Sequence, residues 1–265
     1  MRQLTLLITG TSSGIGRATA EHFSEQGHIV YGVDIFKSET SQPFHSFTAD
    51  ITDENALIGI RNYFLENGIE FDAILNIAGM HRMASLVESD FSMMKKLIDV
   101  NLTGTMLINR VFHSCLAADG RIVIVTSEVA SFDPMPFNGL YNISKTALDT
   151  YAQALRQELN LIGQKVVTIR PGAIETPLSS SSVKATQDLA ATTVLYKRQA
   201  KNFAGIAAKF MGTPIKPQKL AILIYKATVT KNPKLIYKKH QNIGLVLLSL
   251  LPKRLQCAVI KLLLG

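Results

Sequence analysis

Along this chain, short runs of consecutive apolar residues alternate with longer stretches whose apolar positions recur every three to four residues. The short runs predict strands over residues 4–9, 29–33, 44–48, 71–76, 121–127 and 165–170. The longer stretches predict helices over residues 15–26, 54–66, 90–117, 142–162 and 218–229. Alternation of this kind implies one α/β domain, doubly wound, with helices flanking a central parallel sheet. Two stretches break the rhythm. Residues 177–216 are too long for an ordinary connection, and are expected to form a lid over a cleft or an inserted pair of structural helices. Residues 240–265 form a Leu-rich extension, broken at Pro252, beyond a main domain expected over residues 1–239.

Composition narrows the picture. With 265 residues, 47% hydrophobic and 18% charged, the chain has enough apolar content for a large core and too little charge for disorder. No run of about 18 uninterrupted apolar residues occurs, so no membrane-spanning helix is expected. The apolar segment at residues 4–8 has no small-residue cleavage site after it and is read as a buried strand, not a leader. The two cysteines, Cys115 and Cys257, are far apart, which excludes a disulfide framework and suits a reducing, cytoplasmic setting. No histidine spacing suggests a metal site. The sequons at Asn101 and Asn142 lie inside motifs described below and are read as coincidence.

The net charge of +8 is concentrated late, at Lys231, Lys234, Lys238, Lys239, Lys253, Arg254 and Lys261. No aromatic residues interleave with these cations, so a nucleic-acid partner is not expected. A solvated basic face is the plain reading. Peripheral contact with anionic lipid through the C-terminal extension is the alternative.

The first strand runs into TGTSSGIG at residues 9–16, where Gly10, Gly14 and Gly16 precede a helix. Glycines here permit a tight turn and bring a pyrophosphate close to backbone N–H groups at the helix start. Asp34, at the end of the second apolar run, is placed to accept hydrogen bonds from an adenosine ribose. Tyr141 and Lys145 lie four apart and share a helix face. A free phenol titrates near about 10 and is a poor base at neutral pH. An ammonium about 4 Å away, at an effective dielectric near 20, is worth ~4 kcal/mol, or about three pKa units. The pair is therefore suited to general acid/base work.

In company, these motifs resemble the short-chain dehydrogenase/reductase family over roughly residues 1–230. The matches are TGTSSGIG, Asp50 in TADIT, NIAG at residues 76–79, Asn101 in VNLTG, Ser127 in VIVTS, YNISK, and RPGAIET at residues 170–176. The resemblance implies a Rossmann fold and cofactor contacts from Gly10, Ser12, Ser13, Gly14, Ile15 and Gly16. It further implies that Asp50 and the Ile51 backbone hold the adenine, and that Asn76, Ala78 and Gly79 line the adenosine side. Pro171, Gly172, Ile174 and Thr176 would contact the nicotinamide end. Ser127 would bind the reacting oxygen and Tyr141 would exchange its proton. Lys145 would bind the nicotinamide ribose and lower the tyrosine pKa. Asn101 would interrupt its helix and hold a water leading to Lys145.

Four departures stand out. Ser127 and Tyr141 are one residue farther apart than is usual in the family, implying an extra residue absorbed in the loop over residues 132–140. Ile77 stands second in NIAG, and only a short or missing helix fits between Asp34 and Asp50. The C-terminal end loosely resembles members handling steroids and other apolar alcohols. The expected activity is hydride transfer between NAD(H) and a secondary alcohol or ketone, with a sizeable, hydroxysteroid-like substrate. NADP is the less expected cofactor, because Asp34 is present and Ser13, not a basic residue, precedes Gly14. An NADPH-dependent reductase of acyl or small carbonyl substrates and a non-catalytic dinucleotide sensor are the alternatives. The resemblance also implies a homodimer or homotetramer.

Overall fold

The computed structural model describes residues 2–37, 43–210 and 213–265. Seven parallel strands form one sheet: β1 (Thr5–Thr9), β2 (Ile29–Asp34), β3 (His45–Thr48), β4 (Phe71–Asn76), β5 (Leu116–Val125), β6 (Lys165–Pro171) and β7 (Ile236–Lys239). Their spatial order is β3-β2-β1-β4-β5-β6-β7. The helices described are α1 (Gly14–Glu25), α2 (Glu54–Glu66), α3 (Phe91–Ile98), α4 (Gly104–Phe112) and α5 (Gly139–Asn160), followed by α6 (Pro177–Thr192), α7 (Lys197–Phe210), α8 (Pro217–Val229), α9 (Ile243–Ser249) and α10 (Lys253–Leu264). This is the doubly wound α/β architecture that the alternating pattern implies.

Successive strand side chains point to opposite faces. On one face Leu7, Ile74, Ile122 and Ile124 pack against Leu57 and Phe64 of α2, Ile108 and Phe112 of α4, and Leu148 and Ala152 of α5. On the other, Leu6, Ile8, Leu75, Val123 and Val125 pack against Phe23 of α1 and Leu220, Ile224 and Ala227 of α8. Burial on both faces is why the central strands read as unbroken apolar runs. A third apolar cluster lies apart from the sheet. It joins Met83 and Phe137 to Ala185 and Leu189 of α6, Ala200 and Phe203 of α7, and Leu264 of α10.

Two expectations need correction. The single helix over residues 90–117 is split: α3 passes into a π-helical turn, Asp99–Thr103, before α4, and a 3₁₀ turn, His113–Cys115, ends it. β5 then starts at Leu116, five residues early, with a register shift between the pairs Phe71–Leu116 and Ala73–Arg121. Leu116 and Ala117 are buried, so apolar character continues across the boundary and hides it from a periodicity reading. Second, β7 has no counterpart among the expected strands. Its lysine-rich tetrad is recruited by backbone bonds from Thr168 N–H to Leu235 O and from Gly172 N–H to Lys239 O. Residues 177–216 contain two helices, α6 and α7. The turn between them is anchored by Glu88, whose carboxylate accepts from Thr193 Oγ1 and from the Val194 and Leu195 N–H groups. Between Asp34 and Asp50 the described residues contain no helix; residues 38–42 lie outside them.

Arg121 is buried, and its guanidinium donates to Ala227 O at 2.7 Å and to Thr228 O, carbonyls at the C-terminal end of α8. Helix ends leave such carbonyls without intrahelical partners. Arg121→Met should therefore lower stability by about 1–3 kcal/mol, read as a lower urea midpoint. An unchanged midpoint would mean that water replaces the guanidinium at no cost.

Candidate active site

Strand order reverses between β1 and β4, since β1 leads outward to β2 while β4 leads to β5. Loops leaving neighbouring strands in opposite directions open a crevice at their C-terminal ends. The glycine turn, the NIAG segment and Ser127 follow β1, β4 and β5, and so border that crevice. The two central loops are in close contact. Ile77 and Ala78 both donate their N–H to Thr9 Oγ1 at 3.1 Å. Gly10 has φ +80°, and a Cβ there would fall 2.9 Å from the Ala78 backbone. A Cβ on Gly16 would fall 1.9 Å from Gly10 O, so α1 meets β1 only with glycine at that position.

α1 begins at an extended Ser13 whose side chain caps nothing, with no acid in its first turn. By contrast, Asp53, Asp90 and Asn242 cap α2, α3 and α9. Uncapped N–H groups at the positive end of a helix dipole form a site for phosphate oxygens, and the Ser13–Gly14–Ile15 backbone supplies them. At the end of β2, Asp34 Oδ2 accepts from Ser12 N–H at 2.9 Å and Oδ1 from Phe36 N–H at 3.0 Å. Each oxygen retains accepting capacity for a ribose hydroxyl. Thr176 closes the other side, because a Cβ on Gly14 would lie 3.2 Å from its Cγ2. A glycine cradle, an uncapped helix start and a fixed carboxylate beyond it fit a dinucleotide.

The remaining expected cofactor residues are distributed around this cradle. Asp50 Oδ1 accepts from Thr52 N–H and Oγ1, and Ile51 is buried beneath Gly104 of α4. Asn76 differs from the expected cleft-lining position. It is buried, and its amide donates to Asn109 Oδ1 at 2.8 Å, bracing β4 against α4. Gly79 abuts Asn101 and Lys145, with 3.1 and 3.4 Å left to a Cβ. Pro171 and Gly172 leave β6, where the Gly172 N–H is engaged by β7. Ile174 is buried and bridges Ile215.

At the nicotinamide end, Ser127 N-caps a 3₁₀ turn, Glu128–Ser131, directly after β5. Tyr141 and Lys145 lie in the first two turns of α5. Lys145 is buried; its Nζ donates to Val125 O at 3.3 Å and lies 5.9 Å from the Tyr141 ring centre. Asn101 sits in the π-helical turn, a feature that recurs at functional sites. Its Oδ1 accepts from Met80 N–H at 2.7 Å, and its Nδ2 donates to Met80 O and Ser144 Oγ. The loop between Ser127 and Tyr141 contains Phe137 at φ +64°, a left-handed conformation rare for an aromatic residue, stabilised by Ala84 N–H on its carbonyl.

Electrostatics here run against the simple pairing expectation. The Tyr141 ring is part-exposed, but burial of the hydroxyl pushes it up to about 12; a hydrogen bond with Ser127 pulls it down and the Glu128 carboxylate pushes it up further. Lys145 is pushed down to about 8 by burial. Each group loses the hydration that stabilises its charged form. At neutral pH the phenol is protonated and the lysine is mainly cationic.

Two neighbours carry no motif signal. His81 stacks edge-on against Tyr141 with ring centres 4.4 Å apart and bonds Asn138 Oδ1; burial lowers its pKa. Glu128 is buried beside Ser127, with its pKa raised by burial, and accepts from Asn242 N–H at the start of α9. Loop residues brought together by folding have no spacing that announces them. Among the described residues, no cluster of three or more His, Cys, Asp or Glu could hold a metal.

The family model for short chain dehydrogenases matches residues 4–187. The chain belongs to the short-chain dehydrogenase family. It is an oxidoreductase. An NADPH-dependent 1-acyldihydroxyacetone phosphate reductase of Schizosaccharomyces pombe is 33% identical over 184 residues, covering 66% of this chain and 61% of that protein. The match thus spans about three-fifths of the yeast relative. A 3-ketodihydrosphingosine reductase of Bacteroides thetaiotaomicron is 28% identical over 238 residues, covering 88% of this chain and 86% of the relative. A short chain dehydrogenase of Burkholderia cenocepacia in complex with NADP shares the fold at a TM-score of 0.74 and 19% identity, covering 100% of this chain and 98% of that one.

The burial of Lys145 in this short-chain dehydrogenase has a measurable consequence for stability. Its folded pKa, about 8, lies below the ordinary lysine value of 10.5, so the folded state carries a penalty at pH 7. That penalty disappears as pH rises through 8 toward 10.5, where the unfolded chain still binds the proton. Lys145→Met should stabilise the nucleotide-free protein at pH 7 by about 2 kcal/mol, with the gain shrinking by pH 10. Urea denaturation at the two pH values reads this directly, and a gain independent of pH would contradict it.

Proposed function

We propose that this chain interconverts a secondary alcohol and a ketone with a nicotinamide dinucleotide, using Tyr141 as the proton-transfer residue. The carrying observation is the convergence of Ser127, Tyr141 and Lys145 beside a glycine cradle suited to pyrophosphate. Ser127 Oγ and the Tyr141 hydroxyl hold the reacting oxygen between them. When bound, nicotinamide supplies or accepts the hydride and, in its oxidised form, adds a positive charge beside the phenol. In reduction, Tyr141 donates its proton to the developing alkoxide. In oxidation it must first lose that proton. The cation on Lys145 stabilises the phenolate, and the lysine would also hold the ribose of a bound nicotinamide nucleotide. Asn101 positions the Met80 backbone and Ser144 around the lysine. A phenol protonated at neutral pH supports ketone reduction as the favoured direction there.

A sizeable apolar substrate is supported by the third cluster. Phe137, in the loop before Tyr141, meets Tyr196 and Phe203 edge-on, at 5.6 and 5.5 Å between ring centres. With Met83 and the helices α6, α7 and α10, these residues form an apolar roof. The names of the yeast and Bacteroides relatives point to lipid-like ketones, and long-chain ketones therefore join hydroxysteroids as substrates to test.

NAD is proposed as the preferred cofactor. A ribose 2′-phosphate would bring nearly two negative charges close to Asp34. At about 5 Å and an effective dielectric near 40, that repulsion is worth ~3 kcal/mol, about a hundredfold in affinity. NADPH in the name of the yeast relative favours the opposite reading, in which Arg17 or Lys37 answers the phosphate.

Tyr141→Phe should reduce kcat by about 10²–10⁴-fold with dinucleotide affinity nearly unchanged. Retention of more than a tenth of wild-type kcat would remove Tyr141 from this role. Oxidation should accelerate as pH rises from 7 toward 8, as the small ionised fraction of the phenol grows, and level off above 8 where Lys145 loses its charge, while reduction does not accelerate; parallel profiles would point to a different proton donor. The ratio of kcat/KM for NAD to that for NADP should exceed about ten, and Asp34→Ala should narrow it. A wild-type ratio below one would establish the NADPH reading instead.

A further inference from the structure

Charge is divided sharply along this chain. Residues 189–265 contain 14 Lys and Arg and no Asp or Glu, whereas residues 1–188 contain the other 14 with all 20 acids. The first part is net −6 and the second +14. The C-terminal helices add an unusual arrangement of apolar side chains. α9 turns Ile243, Leu247 and Leu250 outward, 74%, 60% and 74% exposed, at the spacing of one helix stripe. α10 buries Gln256 and Leu264 and packs Ile260 into the roof cluster, yet leaves Leu262 85% exposed. Arg254 and Lys261 are exposed on the same helix. Lys253 pairs with Asp133.

We propose that α9 and α10 form a docking surface for an anionic lipid membrane, lying in its interface without crossing it. Exposed leucines beside Arg254 and Lys261, on helices that carry no acid of their own and with the neighbouring Asp133 paired to Lys253, are the requirements of an interfacial helix. Crossing is excluded by length. α10 has 12 residues, about 18 Å at 1.5 Å per residue, against a hydrocarbon core of about 30 Å. Among the described residues no helix is long and apolar enough to span. A second copy of the same face is the poorer occupant, because self-association would bring Arg254 and Lys261 of two copies together, and the acid beside this helix, Asp133, is already paired with Lys253. The inner side of α10 contributes to the roof of the site, so docking would bring that roof to the bilayer, where apolar ketones partition. The surface itself does not depend on which reaction the site performs.

The test is flotation of the full chain with vesicles of phosphatidylcholine alone or mixed with phosphatidylserine. Binding should be at least about tenfold stronger to the anionic vesicles and fall sharply in high salt. The pair Arg254→Gln and Lys261→Gln should weaken it about 25-fold, at roughly fivefold per charge. Leu247→Gln with Leu250→Gln should also release the protein. All four side chains are exposed and outside the catalytic group. Thermal midpoint and turnover of a water-soluble ketone should therefore stay at wild-type values. Equal binding to both vesicle types, or none to either, would overturn the proposal. So would a concentration-dependent dimer that the leucine pair dissolves, which would assign the face to a second copy. Because flotation needs no turnover, a chain that reduces no ketone could still pass it.

Discussion

The close approach of β1, β4 and the start of α1 is the constraint on which the rest of this molecule depends. Thr9 Oγ1 accepts two N–H groups from the loop after β4. The glycine turn passes so near Ala78 and its own first strand that Cβ atoms at Gly10 or Gly16 would collide with backbone. This contact places the uncapped N-terminus of α1 over the crevice where the sheet reverses its order. Asp34 is tied to the same turn through Ser12 N–H, so the phosphate cradle and the ribose end are set by one piece of packing. A larger side chain at Gly16 would displace helix, strand and cleft together.

The catalytic end is organised on a different principle, the burial of groups that would be more stable in water. Lys145 sits inside the protein with Val125 O as a hydrogen-bond partner, and the phenol of Tyr141 is surrounded closely enough to resist ionisation. Elsewhere buried cations serve the fold: Arg121 satisfies the end of α8, and Arg156 binds Val166 O, Thr168 Oγ1 and Leu235 O, joining α5 to β6. Lys145 contributes little of that kind. Its desolvation is a cost that the fold bears to place a cation beside the Tyr141 ring.

The C-terminal segment is joined to this site from two directions. Glu128, next to Ser127, receives the Asn242 N–H at the start of α9. Leu264 and Ile260 of α10 pack with Phe137 and Phe203, and Phe137 lies in the loop that leads to Tyr141. The inner face of α10 thus packs against the loop before Tyr141, and α9 and α10 turn apolar and cationic side chains outward.

The sheet and the cofactor cradle were legible in the residues themselves. Strands buried on both faces must be apolar throughout, and a helix start that approaches backbone and phosphate so closely admits little besides glycine, so each leaves a local signature. Y-x-x-x-K was legible for the same reason, since helix geometry alone puts Tyr141 and Lys145 on one face. Other features had no such signature. β7 became a strand through hydrogen bonds to β6, and Leu116 left the expected helix because β4 offered it a partner. The π-helical turn at Asn101, the ring of His81 against Tyr141 and the carboxylate of Glu128 beside Ser127 each depend on segments far apart in the chain. So does the direction of both pKa shifts, because neighbouring charge can be read from spacing but loss of hydration is a property of the packed interior.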